Sequence, residues 1–123
     1  MGVSSNQARL FLLTSRKSDL ELAMTNISMR QQMLATKQAD AISKKTAAMM
    51  QFLNSQQDGS VSFEQTAAYA QYELEMTQLE MADNNLSLQL QAMETEHKAV
   101  SQQIEEARKL VDNNVKNSFA PFK

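Results

Sequence analysis

The sequence predicts an all-α protein built as a long, coiled-coil-like antiparallel hairpin of two helices, and three observations support that fold. The 123 residues include only two Gly and one Pro, so few tight turns are possible. The composition is rich in Ala, Leu, Met, Gln, Glu and Lys, which are good helix formers. Apolar residues also recur with a seven-residue period on both sides of a single break. We therefore expect one helical hairpin domain over residues 1–123.

The first helix is expected over about residues 5–55, with Ser4 or Ser5 as its N-cap. Such a helix would be about 75 Å long at a rise of about 1.5 Å per residue. One set of positions spaced by seven is fully apolar: Leu13, Leu20, Ile27, Leu34, Ala41 and Ala48. Its companion set is half polar, which predicts a weaker seam on this helix: Leu10, Lys17, Met24, Gln31, Gln38, Lys45 and Phe52.

The break between the helices is predicted at residues 56–61. Asp58 and Gly59 form a strong turn signal, because Gly tolerates a positive φ and Asp bonds to nearby backbone. Ser62 would then cap the second helix, and Gln65 three residues later would complete a capping box.

The second helix is expected over about residues 62–114, followed by an irregular tail over 115–123 because Pro121 cannot continue a helix. One heptad set on this helix is Tyr72, Leu79, Leu86, Met93, Val100 and Ala107. The companion set is Tyr69, Met76, Asp83, Leu90, His97, Ile104 and Val111. Together the two sets give a two-position apolar seam over about six heptads.

Two polar residues interrupt this seam. A catalytic or pH-sensing role for His97 is conceivable, because histidine titrates near neutral pH. We favour a role for His97 and Asp83 in fixing helix register, as buried polar seam residues do in coiled coils. In an antiparallel hairpin centred near Asp58 and Gly59, His97 would face the segment Asp19 to Glu21.

The turn resembles an EF-hand calcium loop, whose candidate ligands here are Asn54, Asp58, Ser60 and Ser62. Gly59 stands where that loop has its sharp-turn glycine. However, Gln65 replaces the bidentate glutamate at the last position, which removes the main calcium ligand. The same residue pattern also occurs at a turn between two helices, the second of them capped, that binds no ion. We therefore expect no metal site.

Composition excludes several classes of function. The chain has no Cys and one His, so thiolate chemistry and a multi-histidine metal site are excluded. No nucleophile motif, phosphate loop or paired-carboxylate pocket is present, and we expect no cofactor and no enzymatic activity. The net charge of −2 does not favour nucleic-acid binding. No apolar run approaches the roughly 20 residues of a membrane span, so we expect no stable membrane insertion. The expected location is cytoplasmic, or exported without a cleaved signal.

Charge and off-seam hydrophobics predict helix association. Residues 1–57 carry seven Lys/Arg and three Asp/Glu, a balance of +4, whereas residues 58–123 carry five Lys/Arg and eleven Asp/Glu, a balance of −6. Apolar residues such as Phe11, Met33, Leu74 and Leu88 fall off the seam, which indicates a second contact surface. We expect a homo-oligomer or polymer, with other helical proteins as a further class of partner. The predicted interface comprises Leu13, Leu20, Ile27, Leu34, Tyr72, Leu79, Leu86, Met93, Val100, Phe119 and Phe122.

Residues 4–21 read SSNQARLFLLTSRKSDLE, which resembles the start of small helical bacterial proteins. The chain as a whole is similar in style to axial subunits of flagella and of type III secretion systems, such as needle or filament proteins. Those subunits are Cys-free helical hairpins rich in Gln, Asn, Ser and Met, without cleaved signals. The resemblance implies a self-assembling structural subunit, and it transfers no individual functional residue.

The function expected from the sequence is therefore a structural subunit that assembles through its helices, in a bacterial filament or secretion-related appendage. The alternative is a soluble coiled-coil adaptor or secretion chaperone, which would bind a partner helix in a Met-rich groove. A third class, a calcium-responsive hairpin built on the turn, ranks lowest.

Overall fold

The structure, a computed structural model, describes residues 3–55 and 62–119. It contains helix α1, Val3–Ser55, a short 3-10 helix, Phe63–Gln65, and helix α2, Ala67–Phe119. The two α-helices pack against each other, and the described residues contain no strand. The predicted all-α helical hairpin is thus confirmed.

The helices are long because nothing in them interrupts the backbone hydrogen bonds. The two Gly and the Pro stand at positions 2, 59 and 121, outside both α1 and α2. Each helix spans 53 residues. At that length, stability comes from the packed face rather than from helix propensity alone.

The start of α2 differs from the prediction. The α-helix begins at Ala67, five residues after Ser62. Thr66 is its N-cap, because the Thr66 hydroxyl oxygen accepts a hydrogen bond from the backbone N–H of Tyr69 at 3.2 Å. The 3-10 helix, Phe63–Gln65, occupies the residues predicted to form the first turn of α2.

The end of α2 also differs from the prediction. Residues 115–119, expected in an irregular tail, are helical up to Phe119. Val111 and Asn114 are still half-buried, so packing continues past the predicted end.

Contacts divide the chain into two compact units. We call residues Met1–Asn26 and Gln89–Lys123 the terminal unit, and Ile27–Leu88 the turn unit. Both units contain a segment of α1 and a segment of α2, and each is described by itself below.

Candidate interaction surfaces

All members of the four predicted heptad sets are buried or half-buried, in both helices. The seam is therefore where the two helices of the hairpin pack. As contacts to another chain, its residues stay a prediction. Nine of the predicted interface residues lie in it: Leu13, Leu20, Ile27, Leu34, Tyr72, Leu79, Leu86, Met93 and Val100.

The seam of the terminal unit contains a cluster of buried apolar side chains. Leu20, Val100 and Ile104 form a buried cluster, with exposed fractions of 3%, 7% and 4%. Leu10, Leu13 and Met93 pack against this cluster and are partly buried. Apolar side chains from both helices thus close the centre of this unit.

Two polar contacts join the helices beside the seam in the terminal unit. The Arg16 guanidinium donates to Oε1 of Glu96, with its Nε at 2.8 Å. Nε2 of His97 lies 3.0 Å from Oε1 of Glu21. The prediction that His97 faces the segment Asp19 to Glu21 is therefore confirmed. Glu21 and His97 lie symmetrically about position 59 in the sequence.

In the turn unit, two polar contacts join the helices with the same symmetry about position 59. The Gln31 amide donates to the Ser87 hydroxyl at 3.0 Å, and Nζ of Lys45 donates to Oε1 of Glu73 at 2.8 Å. Nζ of Lys45 also lies 4.8 Å from the centre of the Tyr69 ring, within range of a cation–π contact.

The contact with Lys45 shifts both ionisation equilibria. The hydrogen bond from Lys45, and then its charge, lower the pKa of the Glu73 carboxyl. The same hydrogen bond raises the pKa of Lys45 above its ordinary value of 10.5, against a smaller effect of desolvation. Both side chains remain partly exposed, so this pair aligns the helices more than it stabilises them.

An aromatic cluster lies beside the connection between the helices, and sequence reasoning missed it. The Phe63 ring is buried, with 8% exposure. It lies 5.7 Å from the Phe52 ring and 5.9 Å from the Tyr69 ring, measured between centroids. Such tilted and edge-on pairs are favourable beyond the area they bury. The signal available in the sequence was a single Phe directly after the predicted cap.

A stripe of exposed apolar side chains follows α2 in the turn unit. Leu74, Met81 and Leu88 are spaced by seven residues and are 59%, 63% and 64% exposed. They lie off the seam, which is already filled by the two heptad sets of α2. We call these three residues the α2 stripe. A regular stripe of this kind differs from the scattered hydrophobics of an ordinary surface.

The turn unit also has an open groove along one flank of its seam, with a volume of about 330 Å³. Leu34 and Leu86 from the seam line the groove, together with Met33 and the small Ala82. The polar lining residues are Arg30, Lys37 and Asn85. We call this the flank groove.

Two cations at the flank groove are uncompensated. Within the described part of the chain, the side chains of Arg30 and Lys37 form no hydrogen bond or ion pair. The neighbouring Lys44 is engaged by Asp40 one turn away, at 3.3 Å. An apolar floor with two free cations suits an amphipathic helix that carries carboxylates.

The other predicted sites fall partly outside the described residues. Outside the described residues lie Asp58 and Ser60 of the predicted calcium loop and the aromatic residue Phe122. Asn54, the first residue of that loop, belongs to α1. Phe119 is the last residue of α2. Among residues 3–55 and 62–119, no group of three His, Cys, Asp or Glu could hold a metal ion.

Comparison with known proteins gives no match: no family model, no curated protein and no solved structure is significantly similar to the chain. None of the described helices is long and apolar enough to cross a membrane. The functional proposal therefore rests on the fold and its surfaces.

Proposed function

We propose that this protein is a structural subunit that assembles with copies of itself through its helices, in a bacterial filament or secretion-related appendage, and that it is not an enzyme. The observation that supports this is the α2 stripe. Its three large apolar side chains are about 60% exposed at heptad spacing, on a helix whose seam is already packed. The similarity in style to flagellar and type III secretion axial subunits supports the choice of setting.

The energetics indicate what kind of contact the stripe can support. Full burial of one exposed Leu or Met side chain contributes about 1.5–3 kcal/mol. Association itself costs about 4–15 kcal/mol in lost translational and rotational freedom. Three side chains alone therefore give weak pairing, and strong assembly needs additional contacts repeated along a polymer. We expect assembly to depend steeply on protein concentration.

A second candidate is an adaptor or secretion chaperone that binds the helix of another protein. The flank groove favours it, because Met33, Leu34 and Leu86 give an apolar floor between two cations. Methionine adapts to partners of different shape, as such a role requires. In this case the purified protein would remain small, and the groove would be occupied only when the partner is present.

Light scattering over a concentration series, with negative-stain images of the same samples, tests the proposal. We expect long regular fibres from the wild-type chain. The variant Leu74→Gln/Met81→Gln/Leu88→Gln should remain small, because Gln keeps helix propensity and removes the apolar stripe.

The matched control replaces three exposed leucines away from the stripe, Leu12→Gln/Leu53→Gln/Leu110→Gln. It should still polymerise if the stripe is the contact surface. Circular dichroism would verify equal helix content in both variants. A wild-type protein that stays monodisperse and small at every concentration would overturn the structural role and favour the adaptor.

A further inference from the structure

We propose that the flank groove of one copy receives the α2 stripe of a second copy, so that the chain carries both halves of its own assembly contact. This inference rests on the proposed function and deepens it, because it names the two surfaces that meet. The groove lies on one flank of the seam, and the stripe lies on α2 off the seam, both within the turn unit.

The groove is open because a small residue stands where a longer one would cover it. In the terminal unit Arg16 reaches across the seam to Glu96. Moving 14 residues along α1 and 14 back along α2 gives Arg30 and Ala82. Alanine has no carboxylate, so Arg30 has no ion-pair partner among residues 3–55 and 62–119, and it lines an open groove. The same heptad geometry therefore gives a closed flank in one unit and an acceptor site in the other.

The charge and the spacing of the residues beside the α2 stripe indicate that this stripe fits the flank groove. Glu75 directly follows Leu74 in the sequence and Glu80 directly precedes Met81, and both carboxylates are exposed. Neither has an ion-pair partner among the residues that the structure describes. Arg30 and Lys37 are seven residues apart, as are Leu74 and Met81, so both pairs span about 10.5 Å along their helices. The acidic apolar helix of a second copy thus complements the basic apolar groove.

The geometry of such a contact determines the form of the assembly. The groove and the stripe are different surfaces of one chain, so a contact between them is heterologous. After two copies have bound, one of them still offers a free stripe and the other still offers a free groove. Heterologous contacts build rings when the rotation closes and helical filaments when it does not. Polymerisation through this contact would use these two surfaces alone.

A complementation experiment with two blocked full-length variants tests the inference. The first, Leu74→Gln/Met81→Gln/Leu88→Gln, has a blocked stripe and an intact groove. The second, Arg30→Glu/Lys37→Glu, has a blocked groove and an intact stripe. We expect each variant alone to be monomeric, with its apparent association constant reduced at least about tenfold. The stripe variant loses the apolar contact. In the groove variant the new carboxylates repel Glu75 and Glu80 of the second copy.

Mixed in equal amounts, the two variants should form a dimer and stop there. The one intact groove binds the one intact stripe, and both outer surfaces of the dimer are blocked. Light scattering should then give twice the chain mass of 13.8 kDa. The control variant Lys98→Glu/Lys109→Glu makes the same charge change at exposed cations outside the groove, and it should polymerise like the wild type. Circular dichroism checks that all variants keep the helical fold.

The outcomes separate the inference from the proposed function. If the wild type polymerises and the groove variant does so equally well, the groove is not the acceptor and the inference fails while the structural role stands. A pair of monomeric variants that gives no dimer on mixing has the same meaning, and points to contact between like surfaces. If the wild type never assembles, the structural role fails, and the groove is left to a helix of another protein.

Discussion

In the terminal unit Arg16 reaches across the seam to Glu96, whereas in the turn unit the corresponding Arg30 stands opposite Ala82. Both arginines occupy the same heptad position on α1, beside seams of similar composition. One flank is closed by an ion pair, and the other leaves a groove of about 330 Å³ with free cations at its edge. A single side chain on the partner helix makes the difference. Within one hairpin, the same coiled-coil repeat thus gives one unit a closed flank and the other unit an open one.

Particular apolar seam residues of the two units differ in the same direction. Leu20, Val100 and Ile104 form one buried cluster in the terminal unit, while Leu34 and Leu86 of the turn unit line the open groove. The apolar side chains that the terminal unit uses for its own stability are therefore partly available to a partner in the turn unit.

The largest expected effect comes from replacing by alanine the leucine at the same heptad position in each unit. Leu20 is 3% exposed, and Leu34, two heptads later, is half-buried. We expect Leu20→Ala to lower the free energy of unfolding by about 2–4 kcal/mol, and Leu34→Ala by about 1–2 kcal/mol. Urea unfolding followed by circular dichroism, at a concentration below assembly, measures both changes.

Leu22→Ala is the control for this pair, because Leu22 is 70% exposed on the same helix and its loss should be small. Equal losses for Leu20→Ala and Leu34→Ala would mean that the turn unit is packed as tightly as the terminal unit. The contrast between the two units would then be wrong.

The sequence was sufficient for the fold and for the pairing of the helices. Heptad positions determine which side chains face the seam, and the break at 56–61 determines the register, which is why the contact between His97 and Glu21 could be predicted. The cap at Thr66 could not be predicted, because Ser62 matches the same cap pattern in the sequence. The packing of Phe63 distinguishes the two positions in the folded chain. Propensity alone does not distinguish two capping residues four positions apart.

The sequence predicts a second contact surface without placing it, and the flank groove contains one of the off-seam residues on which that prediction rests, Met33. The signal for the groove was present in the spacing of Arg9, Arg16, Arg30, Lys37 and Lys44, which share one heptad position on α1. What the spacing could not give is which of these cations has a partner. That depends on the side chain across the seam, and so on the register that the folded hairpin adopts.

The second prediction introduces into the turn unit the ion pair that closes the flank of the terminal unit. Ala82→Glu should give Arg30 the partner that Glu96 gives Arg16, and should cover the groove. We expect self-association to weaken about tenfold, equivalent to about 1.4 kcal/mol, with little change in the stability of the monomer because an exposed pair contributes little. Sedimentation velocity over a concentration series measures the association.

The control for Ala82→Glu is Ala70→Glu, which places the same charge at an exposed position of α2 that does not line the groove. The reciprocal variant Glu96→Ala frees Arg16 in the terminal unit, and should leave association by the turn unit unchanged. If Ala82→Glu assembles as strongly as Ala70→Glu, covering the groove has no consequence and the turn unit does not bind through it.

The smallest expected effect concerns the pair that aligns the helices of the turn unit. The hydrogen bond from Lys45 lowers the pKa of Glu73 in the folded state below its ordinary value of 4.5. Its stabilising contribution is therefore present above that ordinary value and is lost as the pH falls through the lowered pKa. The raised pKa of Lys45 means that the contribution also persists up to the ordinary value of 10.5 and is lost only above it.

Glu73→Gln should accordingly give a small decrease in melting temperature at pH 7, and the difference from wild type should shrink as the pH falls through the lowered pKa of Glu73. Glu75→Gln makes the same charge change at an exposed carboxylate with no ion pair among the described residues, and should leave the melting temperature of the monomer unchanged. Thermal melts across pH 2–8 compare the two variants. A decrease for Glu73→Gln that persists in acid would show that Glu73 acts through packing, and the contact with Lys45 would then not set the alignment of the turn unit.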